Sequence, residues 1–357
     1  MSAAAGKQET IFVLNPGSTS TKLAIFEGDE EVGRETVSHE ASLLHRFEHI
    51  WEQFDWRLDI SRKWFQRTDR TPAAITAIGG LLRPVPKGTY RVNDRMLRDA
   101  RANIQGEHSS NLGCALAYEI AMEYGCQAFI VDPVSVDEFS ALARYSGHPS
   151  IERRSLSHAL NIHAAVQQAA SQLGVSVTES SFVVAHLGGG ISVAPVHHGF
   201  IIDANDASSD GPFSPERTGG LPLQPFISMC FSGRQTEQET RALVMGKGGL
   251  LAYLGTNFAE EVEKRIEDGD KVAREVFEAM AYQIAKEIGA MATVLLGQVD
   301  AVVLTGGLAA SETLMGWVTE RIRFIAPVLI FPGEDEMRAL ARGTLRILRN
   351  EERPKEY

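Results

Sequence analysis

One pattern constrains the fold of this chain more than any other, and it occurs twice. Residues 11–14 and 23–26 are short apolar runs, joined by the polar turn Asn15-Pro16-Gly17-Ser18-Thr19-Ser20-Thr21-Lys22. Apolar runs bounded by Gly, Pro and Ser read as strands, so the stretch predicts a tight hairpin. A second turn at Gly28-Asp29-Glu30-Glu31 leads into a third strand over residues 32–38. The same order returns at residues 181–203: an apolar strand to His186, the turn Leu187-Gly188-Gly189-Gly190, a strand to Val196, the turn His197-His198-Gly199, and a third strand. Asn15 and His186 occupy the same place in the two copies. The shape recurs with little identity, which points to duplication of one fold.

Each triple of strands is followed by helices alternating with short apolar strands. In the first half, residues 41–67 have a helical pattern, residues 74–78 and 128–131 are strand-like, and helices are expected at 94–103 and 111–124. In the second half, residues 156–173, 222–231 and 237–245 read as helices. Val272, Val276, Met280, Ile284 and Ile288 recur every four residues, as one core-facing ridge. Residues 301–304 and 328–331 read as strands, residues 334–349 as a last helix, and residues 350–357 as a frayed tail. Mixed strands with crossover helices make this an α/β chain. With 357 residues, two domains are expected. The turn Ser146-Gly147-His148-Pro149 suggests a boundary, giving domains 1–148 and 149–336, with residues 337–357 packing back on the first.

The formal net charge of −11 argues against a nucleic-acid or anionic-membrane binder. The three cysteines are odd in number and lack metal-binding spacing, which fits a reducing cytoplasm.

Three glycine turns follow apolar strands: Gly17-Ser18, Gly188 to Gly190, and Gly306-Gly307. Glycine lets backbone approach a phosphate closely and aim its N–H groups at it. The first turn adds hydroxyls, including those of Ser18 and Ser20, and the ammonium of Lys22. The P-loop and dinucleotide fingerprints are absent, so any nucleotide site has another design.

The segments NPGSTSTK (15–22), HLGGGIS (186–192), GPFSPERTGGLP (211–222) and LTGGLAAS (304–311) resemble the motifs of the acetate kinase family. GGLLRP, VDP and FSPER bring the chain nearest to its butyrate kinase branch. The resemblance spans nearly the whole chain. It implies two duplicated ribonuclease-H-like domains of the actin-like ATPase type, with a nucleotide cleft between them. It implies ATP-dependent phosphorylation of a short or branched carboxylate, giving an acyl phosphate and ADP, with Mg²⁺ as cofactor. It also assigns roles. Asn15, Gly17, Ser18, Ser20 and Lys22 form the first phosphate turn, Gly188, Gly189 and Gly190 the second, and Gly306 and Gly307 the adenosine turn. Arg217, His186, Asp132 and His108 match catalytic positions. Glu336, with Asp132, matches the metal-linked carboxylates, and Glu334 and Asp335 are close alternatives. A homo-oligomer is expected, with a small carboxylate and a nucleotide as ligands.

The physical chemistry is consistent with these roles. A carboxylic acid with a pKa of about 4–5 is already an anion at neutral pH and needs no general base. The obstacle is repulsion from the triphosphate, which Mg²⁺, Arg217 and a histidine can offset. One position departs from the family. Where butyrate kinases read GRGG, this chain has Ala77-Ile78-Gly79-Gly80, so Ile78 replaces an arginine. Either Arg83, five residues on, reaches in, or the chain is slow, altered in substrate, or inactive. Acetate or propionate is the alternative substrate, set by the size of the acid pocket, and a nucleotide-binding protein without kinase activity is the alternative that Ile78 motivates.

Overall fold

The opening hairpin forms as β1 (Thr10–Pro16) and β2 (Ser20–Glu27), with Asn15 directly opposite Lys22. The structure, a computed structural model, describes residues 9–357 apart from 45 and 334. β3 (Glu30–Ser38) extends the hairpin antiparallel to β2. β4 (Ala74–Ile78) lies parallel on the other side of β1, β6 (Gln127–Val131) parallel beside β4, and β5 (Thr89–Arg91) antiparallel beyond β6. Every residue of β1 is buried, as expected for a central strand with both faces covered.

The second copy forms as β7 (Ser181–Leu187), β8 (Ile191–His197) and β9 (Phe200–Ile201). β10 (Ala301–Gly306) pairs parallel with β7, and β11 (Val328–Pro332) parallel with β10. The sheet order is β11-β10-β7-β8-β9. The first sheet has the matching order β6-β4-β1-β2-β3, with β5 and a last strand β12 (Lys355–Glu356) added at its edge. Both sheets therefore run third, second, first, fourth, fifth, and the repeat read from two turns extends to the whole topology.

The chain divides into residues Met1–Asp137 with Asp335–Tyr357, and residues Glu138–Glu334. The division falls ahead of the 146–149 turn for a local reason. Ser140 N–H donates to the Ile202 carbonyl at 2.9 Å, and Ile201 N–H to Glu138 Oε2 at 3.0 Å. Arg153 donates to the Ala143 carbonyl at 2.7 Å. These bonds tie residues 138–144 to the second sheet.

Three expectations need correction. Residues 41–67 are not one helix: a short turn at Ala41–Leu44 is separated from the 3-10 turn Ile50–Gln53 and the helix Phe54–Gln66. The tail is not frayed, because β12 pairs with β5 and Tyr357 is anchored by hydrogen bonds. The ridge on the helix Lys271–Val294 starts one residue later than read. Val272 is 59% exposed, whereas Ala273, Phe277, Met280, Ala281, Ile284 and Ile288 are fully buried. A four-residue repeat drifts around a helix of 3.6 residues per turn, so its first member leaves the face. Neither β5 nor the helices Gly249–Leu254 and Ala259–Glu267 are foreseen by the sequence reading.

This placement sets an expected contrast. Phe277→Ala should destabilise by about 3–5 kcal/mol in urea unfolding, and Val272→Ala by less than about 0.5 kcal/mol. Equal losses would contradict the burial described.

Candidate active site

The carboxyl ends of β1, β4 and β6 lie side by side, because Leu14 pairs with Ala77 and Ile78 with Val131 in parallel register. Asn15, Ile78 and Asp132 therefore end neighbouring strands, the edge of an α/β sheet where ligands bind. At this edge Asn15 Nδ2 donates to Glu336 Oε2 at 2.5 Å, and Lys22 Nζ lies 3.7 Å from the same oxygen. Glu336 opens the helix Glu336–Leu348. Asp335 caps that helix and pairs with Arg338 and Arg34, so Glu336 is the carboxylate that meets the first turn. Glu334 lies outside the described residues.

The turn itself is closed by Gly17 N–H donating to the Ser20 carbonyl at 2.8 Å, with Ser18 exposed at its tip. Below it lies a network that sequence reading missed. Arg57 donates to the Ser20 carbonyl and to Thr21 Oγ1, and His39 Nε2 meets the same hydroxyl at 2.9 Å. Burial, with the nearby Arg57 charge, pushes His39 down to about 4. Arg57 is one of several polar residues on its helix, and only its burial distinguishes it.

Asp132 has a left-handed backbone, φ 38°, and its Oδ1 accepts the Gly88 N–H at 2.6 Å. Such strain in a non-glycine residue concentrates at functional sites. His108 is exposed, and its Nδ1 caps the following 3-10 turn through Ser110 N–H and Oγ. In that turn Asn111 Oδ1 accepts Leu81 N–H at 2.7 Å, beside Gly80, while Gly79 abuts Pro133. The structure thus gathers Ile78, the Gly79-Gly80 turn, the segment following His108, and Asp132-Pro133.

Arg83, one of the candidates for the place of the missing arginine, is engaged by Asp99 in this structure. Its Nε and one terminal nitrogen grip Asp99 at 2.6 and 3.2 Å, and its backbone N–H donates to Tyr357 Oη at 2.9 Å. Tyr357 in turn donates to Asp99 at 3.0 Å. The guanidinium is used in holding the loop after β4 to the tail.

In the second unit the turn after β7 meets the Arg217 loop directly. The Arg217 guanidinium fills the space that a side chain at Gly190 would need. One terminal nitrogen donates to the Ala207 carbonyl at 3.1 Å, while buried Nε has no protein acceptor among the described residues. Ser214 Oγ donates to the Gly189 carbonyl at 2.5 Å and accepts Arg217 N–H, tying the loops together. Burial pushes the arginine down from its ordinary value, against the pull of Glu216 and Asp206.

His186, the last residue but one of β7, lies opposite Ser192 and is buried. Its ring lies 4.3 Å from that of His158, whose Nδ1 meets Ser192 Oγ at 2.9 Å. His158, just before the helix Ala159–Leu173, is a second missed residue. The signal for it is a histidine at a helix start in Ser155-Leu156-Ser157-His158.

Gly306 has φ 97°, and any side chain there would strike the Leu187 carbonyl. The third turn therefore lies against the second. Beside it is an open groove of about 590 Å³, between the helix Glu312–Ile322 and β11, lined by Ala310, Met315, Arg323 and Ile330 together with the carboxylates of Glu312 and Glu320. That volume is of the size that holds a nucleoside.

Residues 153–324 match the model of the acetokinase family. The chain is 49% identical over 350 residues to probable butyrate kinase 2 of Caldanaerobacter subterraneus subsp. tengcongensis, covering 97% of this chain and 99% of the relative. It is 45% identical over 351 residues to butyrate kinase 2 of Clostridium acetobutylicum, with the same coverage. The chain belongs to the acetokinase family. Among solved structures, Porphyromonas gingivalis acetate kinase superposes with a TM-score of 0.77 at 18% identity, covering 95% of this chain and all of the other. A propionate kinase from Francisella tularensis subsp. tularensis superposes at 0.74 and 18%, covering 94% and 98%. These two likenesses establish the actin-like ATPase fold, and membership of the acetokinases rests on the closer relatives.

The neutral His39 beneath the first turn makes stability depend on pH with a definite sign. The folded protein holds it at about 4, against an ordinary 6.5, so the unfolded chain takes up its proton first on acidification. Its contribution is complete above about 6.5 and is lost as pH falls through about 4. In melts from pH 7 to 4, His39→Gln should show a shallower fall in Tm than the wild type. Parallel curves would rule out a buried neutral imidazole here.

Proposed function

We propose that this acetokinase uses ATP to phosphorylate butyrate, or a similar short or branched carboxylate, giving an acyl phosphate and ADP reversibly. The contact of Arg217 with the Gly188–Gly190 turn carries this reading. It puts a partly desolvated guanidinium directly on a backbone turn suited to phosphate, where charge stabilisation is strongest.

The substrate carboxylate is the nucleophile as it stands. Its attack on the γ-phosphorus forms the new O–P bond while the bond to the ADP oxygen breaks. Arg217 and His186 offset charge on the moving phosphoryl. Asn15, Ser18, Ser20 and Lys22 hold phosphate from the first turn, the Gly306-Gly307 turn and its groove receive the nucleoside, and His108 and Asp132 act on the acid side. Glu336 suits Mg²⁺, with Asp132 as the second carboxylate. No group of three or more His, Cys, Asp or Glu able to hold a metal occurs among the described residues. When bound, Mg²⁺ neutralises phosphate charge.

Self-association is also proposed. The helix Leu223–Cys230 is largely apolar yet has no buried residue, and Phe231 beyond it is 88% exposed. Among the described residues no helix is long and apolar enough to cross a membrane, and the three cysteines are free. A cytoplasmic location is consistent with this.

Acyl phosphate trapped with hydroxylamine, from Mg-ATP and acids of increasing length and branching, tests the reading. Product should be greatest with four-carbon acids, and Arg217→Ala should lower kcat by about 10³-fold with ADP affinity largely kept. No trapped product from any acid, with ATP bound, would leave a nucleotide-binding protein instead. Ile78→Arg bears on the departure from the family. A rise in kcat/KM of about tenfold or more is expected if the arginine is simply missing. No rise would mean that the acid site has been rebuilt around isoleucine.

A further inference from the structure

Beneath the first turn lies a charge that the proposed reaction leaves unused. Arg57, on the helix Phe54–Gln66, has 0% exposure and heads the large, fully buried side chains of the protein. Its Nε and one terminal nitrogen donate to Gln53 Oε1 at 3.0 and 2.9 Å. The other terminal nitrogen donates to the Ser20 carbonyl at 3.1 Å and to Thr21 Oγ1 at 3.0 Å. All of these acceptors are neutral. Among the described residues no carboxylate pairs with Arg57, and His39, which shares the Thr21 hydroxyl, is uncharged at neutral pH.

Buried charges are ordinarily paired, because an unpaired one forfeits its hydration without return. Burial lowers Arg57 only to about 10, so it remains a cation. The acceptors satisfy its N–H groups, and the Trp56 ring lies 5.9 Å from the guanidinium carbon, but neither supplies an anion. The position of Arg57 suggests what balances its charge. The Ser20 carbonyl that it holds is the one that closes the Gly17–Ser20 turn by accepting Gly17 N–H.

We infer that Arg57 is a built-in countercharge for the phosphates of the nucleotide at the first turn, acting from behind the turn and not by contact. The inference rests on reading residues 15–22 as a phosphate turn. In a medium of low dielectric such a charge acts over several ångströms and is little screened by salt. A purely structural tie between helix and hairpin would need the hydrogen bonds and not the charge.

Gln53→Glu separates these two roles. It places a carboxylate on the guanidinium while leaving Arg57 and its bonds to the turn intact. Calorimetric titration of the full-length protein with Mg-ADP should show binding weaker by about tenfold or more, since the countercharge is then already satisfied. Without nucleotide the variant should melt at or above the wild-type temperature, because a buried charge has gained its partner. Arg57→Met should weaken ADP binding similarly, and Arg57→Lys, which keeps the charge, much less. Unchanged ADP affinity in Gln53→Glu, with normal binding by the wild type, overturns the inference. A wild type that binds no ADP would instead overturn the phosphate reading of the turn.

Discussion

The absence of a side chain at Gly190 is the constraint on which the site in the second unit depends. The Arg217 guanidinium occupies the volume that a Cβ would take, so arginine and backbone turn share one spot. Desolvation makes that charge effective, and Ser214 fixes the approach by bonding to both loops. Gly306 repeats the device against Leu187 and draws the third turn to the second. Approaches this close to a backbone, by a guanidinium at Gly190 and by another backbone at Gly306, are open to glycine alone.

The duplicated hairpin has been put to different uses in the two units. In the second, glycine turns and an arginine crowd together. In the first, the turn is polar and is steadied from outside, by Glu336 across the strand ends and by Arg57 from below. Positive charge thus reaches the two turns by different routes: over the top of a glycine in one, and from within the core in the other. On the proposed reaction, repulsion between a carboxylate and a triphosphate would give both routes a purpose.

Much of this could be read along the chain because it is local. Strands β1, β2, β4, β7, β8 and β10 are apolar runs ended by turn residues, and Ser311 caps its helix through Leu314 N–H as its type suggests. What could not be read depends on partners distant in sequence. Arg83 looked available for the place left by Ile78, but Asp99 and Tyr357 hold it. The tail read as frayed, yet β12 gains its order by pairing at a sheet edge. Val272 fell outside the core by the drift of a helical repeat, which a four-residue count conceals.

By itself, the sequence determined the two hairpins, the glycine turns, the α/β class and the family, since all of these rest on residues close together or on motifs in order. Tertiary structure decided which of the acids near residue 335 meets Asn15, which histidine lies beside His186, and that Arg57 is buried among neutral acceptors. Those outcomes depend on contacts between segments tens to hundreds of residues apart. Burial and pairing set the energy of a charge, and neither is written in the residue that carries it.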